Sequence, residues 1–264
     1  MMSYTFIVRA MIVGGLVALC SALLGVSLVL KRYSMIGDGL SHVAFAALTI
    51  AVAMNVAPLY ISTPIVTVAA IILLRLSENS KIKGDSAIAL ISTVSIAIGV
   101  VVTALTKGMN TDVYSYMFGS ILAMSESDVY MSIALSVVVI ILFVFFYNKI
   151  FAVTFDESFA KATGTKADAY NMIIAVLTAI TIVVGMRIMG TMLISSLIIF
   201  PALISMRNFK TFKSVIICSA IVSVVCFLLG IILSYLYSIP TGASIVLVNT
   251  IALILSYLIG ELRH

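Results

Sequence analysis

Read along its length, the chain is a succession of apolar runs broken by short polar clusters. The runs fall at 10–30, 36–56, 58–76, 86–106, 128–148, 168–186, 189–206, 214–237 and 243–261. A hydrocarbon core about 30 Å thick takes about 20 apolar residues as a helix, so each run is a candidate span. The pattern predicts an all-α, polytopic transmembrane helical bundle of about nine spans, eight to ten because several connections are very short. The runs continue from end to end, so residues 1–264 read as one transmembrane domain.

Two connections are longer than turns. Residues 107–127, KGMNTDVYSYMFGSILAMSES, are too apolar for a solvated loop and too short for a full span. They suit an interfacial or re-entrant helix, or a surface helix anchored by tyrosines; Ser125 or Ser127 suits the cap of the next helix. Residues 149–167, KIFAVTFDESFAKATGTKA, are the most hydrophilic stretch. Asp156-Glu157-Ser158 has the acids expected at a helix start, and Gly164 marks a stop, so a short amphipathic helix is expected there.

Composition agrees with the pattern. The chain is 63% hydrophobic, 9% charged and has a mean hydropathy of +1.28. Soluble domains are about 25% charged. The N-terminal run lacks a clear small-residue cleavage site, and similar runs follow it, so a cleaved signal peptide is not expected. Cys20, Cys218 and Cys226 lie in apolar runs without CxxC spacing and read as small core residues. With no tryptophan, any interfacial belt must come from tyrosines.

Charge sets the orientation. With the 149–167 connection in the cytoplasm, Lys31, Arg32, Arg75, Lys81, Lys83, Lys149, Lys161, Lys166, Arg207, Lys210, Lys213 and Arg263 all fall inside. Arg9, Lys107 and Arg187 fall outside. This positive-inside bias puts the C-terminus in the cytoplasm and, with nine spans, the N-terminus outside. The net charge of +5 follows from these basic loops and does not point to nucleic acid.

Soluble-enzyme motifs are missing. There is no GxxxxGK[ST], HExxH or GxSxG, so the chain has no nucleotide loop of its own for ATP hydrolysis. Chemistry must come from polar residues inside the runs, where an ionisable group costs at least a few kcal/mol. Arg187, near a span end, reads as snorkelling, and Pro201 as a kink or a broken helix. The most informative pair is Asp38 and His42, four residues apart on one helical face; His42 is the only histidine before the terminal His264. Carboxylate plus imidazole suits Zn²⁺, Mn²⁺ or Fe²⁺, with Ser41 a neighbouring oxygen. One pair supplies two ligands, and a two-fold dimer would bring two pairs together. On spacing alone two readings stay open: a metal-ligand pair, or Asp38 as a helix cap with His42 as its partner. An intramembrane enzyme using Asp38 and His42 is a third, weaker reading, since Ser41 points elsewhere on the helix.

Several stretches together resemble one family. They are MIGDGLSHVAFAAL (35–48), GDSAIALI (84–91), YSYMFGSILAMSESDV (114–129), FDESFAKATG (155–164), GTMLISSLIIFPALIS (190–205) and IPTGASIVLV (239–248). In order and in combination, they resemble the membrane permease of ABC-type zinc/manganese/iron importers, the ABC-3 family.

The resemblance implies a type II importer-like permease in the cytoplasmic membrane of a prokaryote, with no catalytic activity of its own. It implies a homodimer of permeases, two cytoplasmic ABC ATPase subunits and an extracytoplasmic metal-binding protein, with membrane lipids around them. No permanently bound cofactor is implied: Zn²⁺, or Mn²⁺ or Fe²⁺, is cargo, and ATP acts only through the partner. Asp38 and His42 would line the translocation path, with Ser41 a further candidate. The segment at about 155–166 would couple to the ATPase: Phe159 to Gly164 matches the coupling element, with Ala160 and Gly164 at its Ala-x-x-x-Gly positions and the flanking Lys161 and Lys166 facing acidic ATPase surface. Asp112, Glu126 and Asp128 are outer acids suited either to guide a cation and dock the binding protein or simply to sit in solvent. Zinc is the expected cargo. The nearest alternatives are a permease of siderophore or cobalamin importers, for which an Asp-His pair would be surplus, and a passive channel.

Overall fold

The computed structural model describes residues 2–79, 84–106, 117, 119, 126–191 and 193–262, and among them the regular structure is entirely helical. The helices are α1 (Met2–Leu30), α2 (Ser34–Ala53), α3 (Pro58–Asn79), α4 (Gly84–Leu105), α5 (Glu126–Phe145), α6 (Tyr147–Phe155), α7 (Glu157–Ala162), α8 (Ala167–Met189), α9 (Ile194–Asn208), α10 (Phe212–Tyr237) and α11 (Thr241–Leu262). Eight of these described helices are long and apolar enough to cross a membrane, and α9 is a shorter apolar helix. Each of the nine apolar runs therefore corresponds to one helix, and each helix closes its own backbone hydrogen bonds, as a hydrocarbon solvent demands.

The helix ends have local causes. At the α1–α2 corner Arg32 adopts φ 60. Its N–H donates to the Val29 carbonyl (3.1 Å) and the Tyr33 N–H to the Leu28 carbonyl (2.8 Å), which closes α1 with a Schellman pair. The corner is thus only Lys31-Arg32-Tyr33 long.

The seventh run starts later than its hydropathy implies. It was expected at 189–206, but the chain breaks at Gly190 (φ 84) and α9 begins at Ile194. The break is a close approach: a Cβ on Gly190 would lie 2.3 Å from the Met117 carbonyl oxygen and 2.5 Å from the Gly119 nitrogen. At 15 residues α9 is only about 22 Å long. Pro201 sits inside it, buried, and the helix continues past it. The 107–127 segment lies outside the described residues except for Met117, Gly119 and its last two residues. Ser125 lies outside them too, while Ser127 falls inside the first turn of α5 and does not precede it.

Helices α1, α2 and α8 are largely buried and form the centre, while α3, α4, α5 and α11 turn apolar faces outward. Lipid tails are as apolar as leucine, so burial from lipid stabilises little and close packing must hold the bundle. Gly25 of α1 shows this: a Cβ there would sit 2.1 Å from the Ile198 carbonyl oxygen of α9. Ser223 of α10 donates to the Ala18 carbonyl of α1 (2.8 Å), a hydrogen bond between spans. Cys20 and Cys226 are buried, and all three cysteines are free thiols.

Candidate functional site

Helix α2 is nearly all buried, with its first half broken by one outward stripe: Met35, Asp38 and His42. Positions i, i+3 and i+7 fall on one face. The other side of the helix is sealed against α4, where a Cβ on Gly39 would meet Ile88 at 2.8 Å. The Asp38 side chain is 40% exposed and that of His42 15%. The His42 Nε2 and Asp38 Oδ2 atoms are 3.6 Å apart. That is too long for a hydrogen bond. It is close to the edge of a metal's coordination shell: two ligands about 2.0–2.1 Å from a tetrahedral ion lie about 3.4 Å apart. Asp38 is in the second turn of α2, so it is not the helix cap; that position belongs to Tyr33, which makes no side-chain cap bond.

The hydroxyls divide. Ser41 is fully buried and donates to the Asp38 backbone carbonyl (2.7 Å), so its hydroxyl is engaged by the helix itself rather than presented on the stripe. Ser195 of α9 stands beside the Asp38 carboxylate. Sequence reasoning missed it; the signal was the serine pair in GTMLISSLIIFP, which reads as ordinary helix-packing material. Among the described residues no group of three or more His, Cys, Asp or Glu side chains forms a metal cluster. One copy of the chain therefore offers two strong donors and a nearby hydroxyl.

The hydrophilic connection folds as two short helices, α6 and α7. Asp156 caps α7, its Oδ1 accepting from the Phe159 N–H at 2.8 Å. Gly164 closes it at φ 81, with the Thr165 N–H on the Ala160 carbonyl (2.9 Å). Both signals were legible in the sequence. The four residues matched to the coupling element do not share one face. Phe159 is 64% exposed, and nothing crowds a Cβ on Gly164. Ala160 is buried with Val153 and Ala167, so it seats α7 on its own chain. Lys161, half exposed, pairs with Glu157 Oε1 (3.0 Å) and Asp168 (2.9 Å). Both carboxylates hold the Lys161 ammonium's pKa above the ordinary lysine value.

Lys31 is more than a positive-inside charge. Its side chain is 7% exposed, and its ammonium donates to Glu157 Oε2 (3.1 Å), the Val153 carbonyl (3.2 Å) and Asn171 Oδ1. Asn171 also donates to Glu157 Oε2 (3.0 Å). Partial burial pushes the Glu157 carboxyl up, but hydrogen bonds from Asn171, Lys161 and Lys31 outweigh it and hold the pKa at about 2, below the ordinary 4.5. A depressed carboxylate stabilises the fold fully above its unfolded pKa and loses that contribution as pH falls through the folded one. The network is therefore complete at neutral pH and weakens only between about 4.5 and 2.

The outer acids also divide. Asp112 lies outside the described residues. Glu126 is an exposed surface acid bonded to Arg9 at 2.8 Å. Asp128 is not a surface acid: it is 5% exposed and bonded to Arg187 at 2.6 Å. Arg187, read as snorkelling, is itself 6% exposed. An acid in the first turn of α5 and a cation in the last turn of α8 each sit at the favourable end of a helix dipole.

Comparison with known proteins agrees with this architecture. The ABC 3 transport family matches residues 3–260. The chain is 26% identical over 257 residues to the manganese import system permease protein ScaB of Streptococcus gordonii, covering 97% of this chain and 92% of that one. It is 29% identical over 249 residues to the high-affinity zinc uptake system membrane protein ZnuB of Haemophilus influenzae, covering 94% and 95%. Among solved structures, PsaBC from Streptococcus pneumoniae in complex with Fab superposes with a TM-score of 0.86 at 27% identity, covering 96% of this chain and 91% of that one. The bundle has the fold of an ABC importer permease, and the chain belongs to the ABC 3 transport family.

Proposed function

We propose that this chain is the membrane permease of an ATP-driven importer of divalent transition-metal ions, with zinc as the preferred cargo. The observation that carries the reading is the Asp38–His42 pair, 3.6 Å apart on the outward stripe of an otherwise buried helix. Imidazole with carboxylate suits Zn²⁺, while Mn²⁺ and Fe²⁺ take the same atoms less readily. The relatives named for manganese and for zinc support a transition metal as the class.

Two copies of the chain would face each other across the stripes, giving a cation up to four strong donors along a shared path. A path must also release its ion, so the site passes metal rather than storing it. An extracytoplasmic binding protein delivers the ion, and partner ATPases drive alternation between outward and inward access. The positive-inside bias puts α7 in the cytoplasm, where exposed Phe159 and Gly164 present a surface to the ATPase.

The test is uptake by the complex of permease, ATPase and binding protein in proteoliposomes. ATP-dependent Zn²⁺ entry, with Mn²⁺ and Fe²⁺ competing more weakly, is the expected result. Flux without ATP, or entry of a metal only as its organic chelate, would reject the reading.

A further inference from the structure

We propose that the Lys31–Glu157–Asn171 knot is the mechanical link that carries movement of α7 into α2, the helix bearing Asp38 and His42. This rests on the functional reading above, in which α7 meets the ATPase and α2 meets the metal.

Lys31 stands at the end of α1 and reaches three other elements at once: α6 through the Val153 carbonyl, α7 through Glu157, and α8 through Asn171. Three partners match the three donors of an ammonium group. The side chain is 7% exposed, so the cation has little water to fall back on if Glu157 moves away. Separating a buried charge from its counter-ion is strongly unfavourable.

The corner then passes this movement on. Only three residues separate α1 from α2, and the two Schellman hydrogen bonds at Arg32 and Tyr33 fix their geometry. A displacement of Lys31 is delivered to Ser34, the first residue of α2. From there the helix is continuous to Ala53. Asp38 lies about 6 Å and His42 about 12 Å along its axis. A small cleft lined by Leu28, Tyr33, Ile36, Leu74 and Ile174 lies beside Lys31. Lys161 braces the same carboxylate from the other side, tying Glu157 to Asp168 at the start of α8.

In the reconstituted complex, ATP hydrolysis and Zn²⁺ uptake are measured on the same vesicles. Lys31→Met should leave ATP hydrolysis within about twofold while the Zn²⁺ imported per ATP falls about tenfold, the size of an ordinary coupling between sites. The Zn²⁺ concentration for half-maximal uptake should not change, because Asp38 and His42 remain. Adding Glu157→Gln to Lys31→Met should cost little more, since both remove one link. If Lys31→Met does not assemble, Glu157→Gln and Asn171→Leu carry the same test. Unchanged Zn²⁺ per ATP in assembled variants overturns the knot alone. So does a parallel fall in hydrolysis and uptake with a weakened half-saturation, the mark of a general structural defect. An unsubstituted complex without ATP-driven uptake overturns the functional reading, and the knot's role in transport with it.

Discussion

At the scale of single residues, the bundle separates charges that work inside the chain from charges that face outward. Asp128 and Arg187 form a buried pair that joins the start of α5 to the end of α8. Breaking a buried pair by removing one partner costs about 3–5 kcal/mol. Glu126, two residues away and exposed, forms a surface pair with Arg9 worth about 0–1 kcal/mol. Asp128→Ala should therefore lower the thermal midpoint of the detergent-solubilised protein sharply, and Glu126→Ala should barely move it. Equal effects would mean that the two ion pairs are not so different. The sequence placed both Asp128 and Arg187 at the outer ends of their spans, but hydropathy does not say whether a charge at a span end turns to water or to a neighbouring helix. The same ambiguity hid Lys31. Helical spacing aligned Asp38 and His42 with each other, but it did not say which way their shared face turns.

At the scale of elements, helix positions were legible and helix breaks were less so. Nine apolar runs became nine helices because a spanning segment must satisfy its backbone within itself. The start of α9 was not legible: the residues at 189–193 are apolar enough to continue a helix, and the break depends on the left-handed Gly190 meeting Met117 and Gly119. Helix α7, by contrast, was marked at both ends by residue type, Asp156 as a side-chain cap and Gly164 as a backbone stop. Gly164 is open on its outer side yet sits at φ 81, which a β-branched residue adopts only under strain. Gly164→Val should thus loosen the end of α7 and uncouple hydrolysis from uptake while leaving membrane insertion intact. Normal Zn²⁺ per ATP in that variant would argue against a docking role for this end of the helix.

At the scale of the whole molecule, α1, α2 and α8 form the buried centre, and the outward apolar faces of α3, α4, α5 and α11 suit lipid. The fold and family were readable from the order of the motifs. The division of labour within each motif was not, since it depends on which way a side chain turns: Ser41 into its own helix, Ala160 into its own chain, Ser195 towards Asp38. In the proposed mechanism, ATP-driven movement enters at α7, passes through Lys31 and reaches the metal-facing stripe of α2. The stripe is the central claim. It is tested most directly by ATP-driven Zn²⁺ uptake in vesicles holding the full complex, with Asp38→Ala/His42→Ala compared against the unsubstituted permease at equal membrane content. Uptake that falls to background while the ATPase stays bound is the expected result, and uptake at the unsubstituted rate would contradict the account.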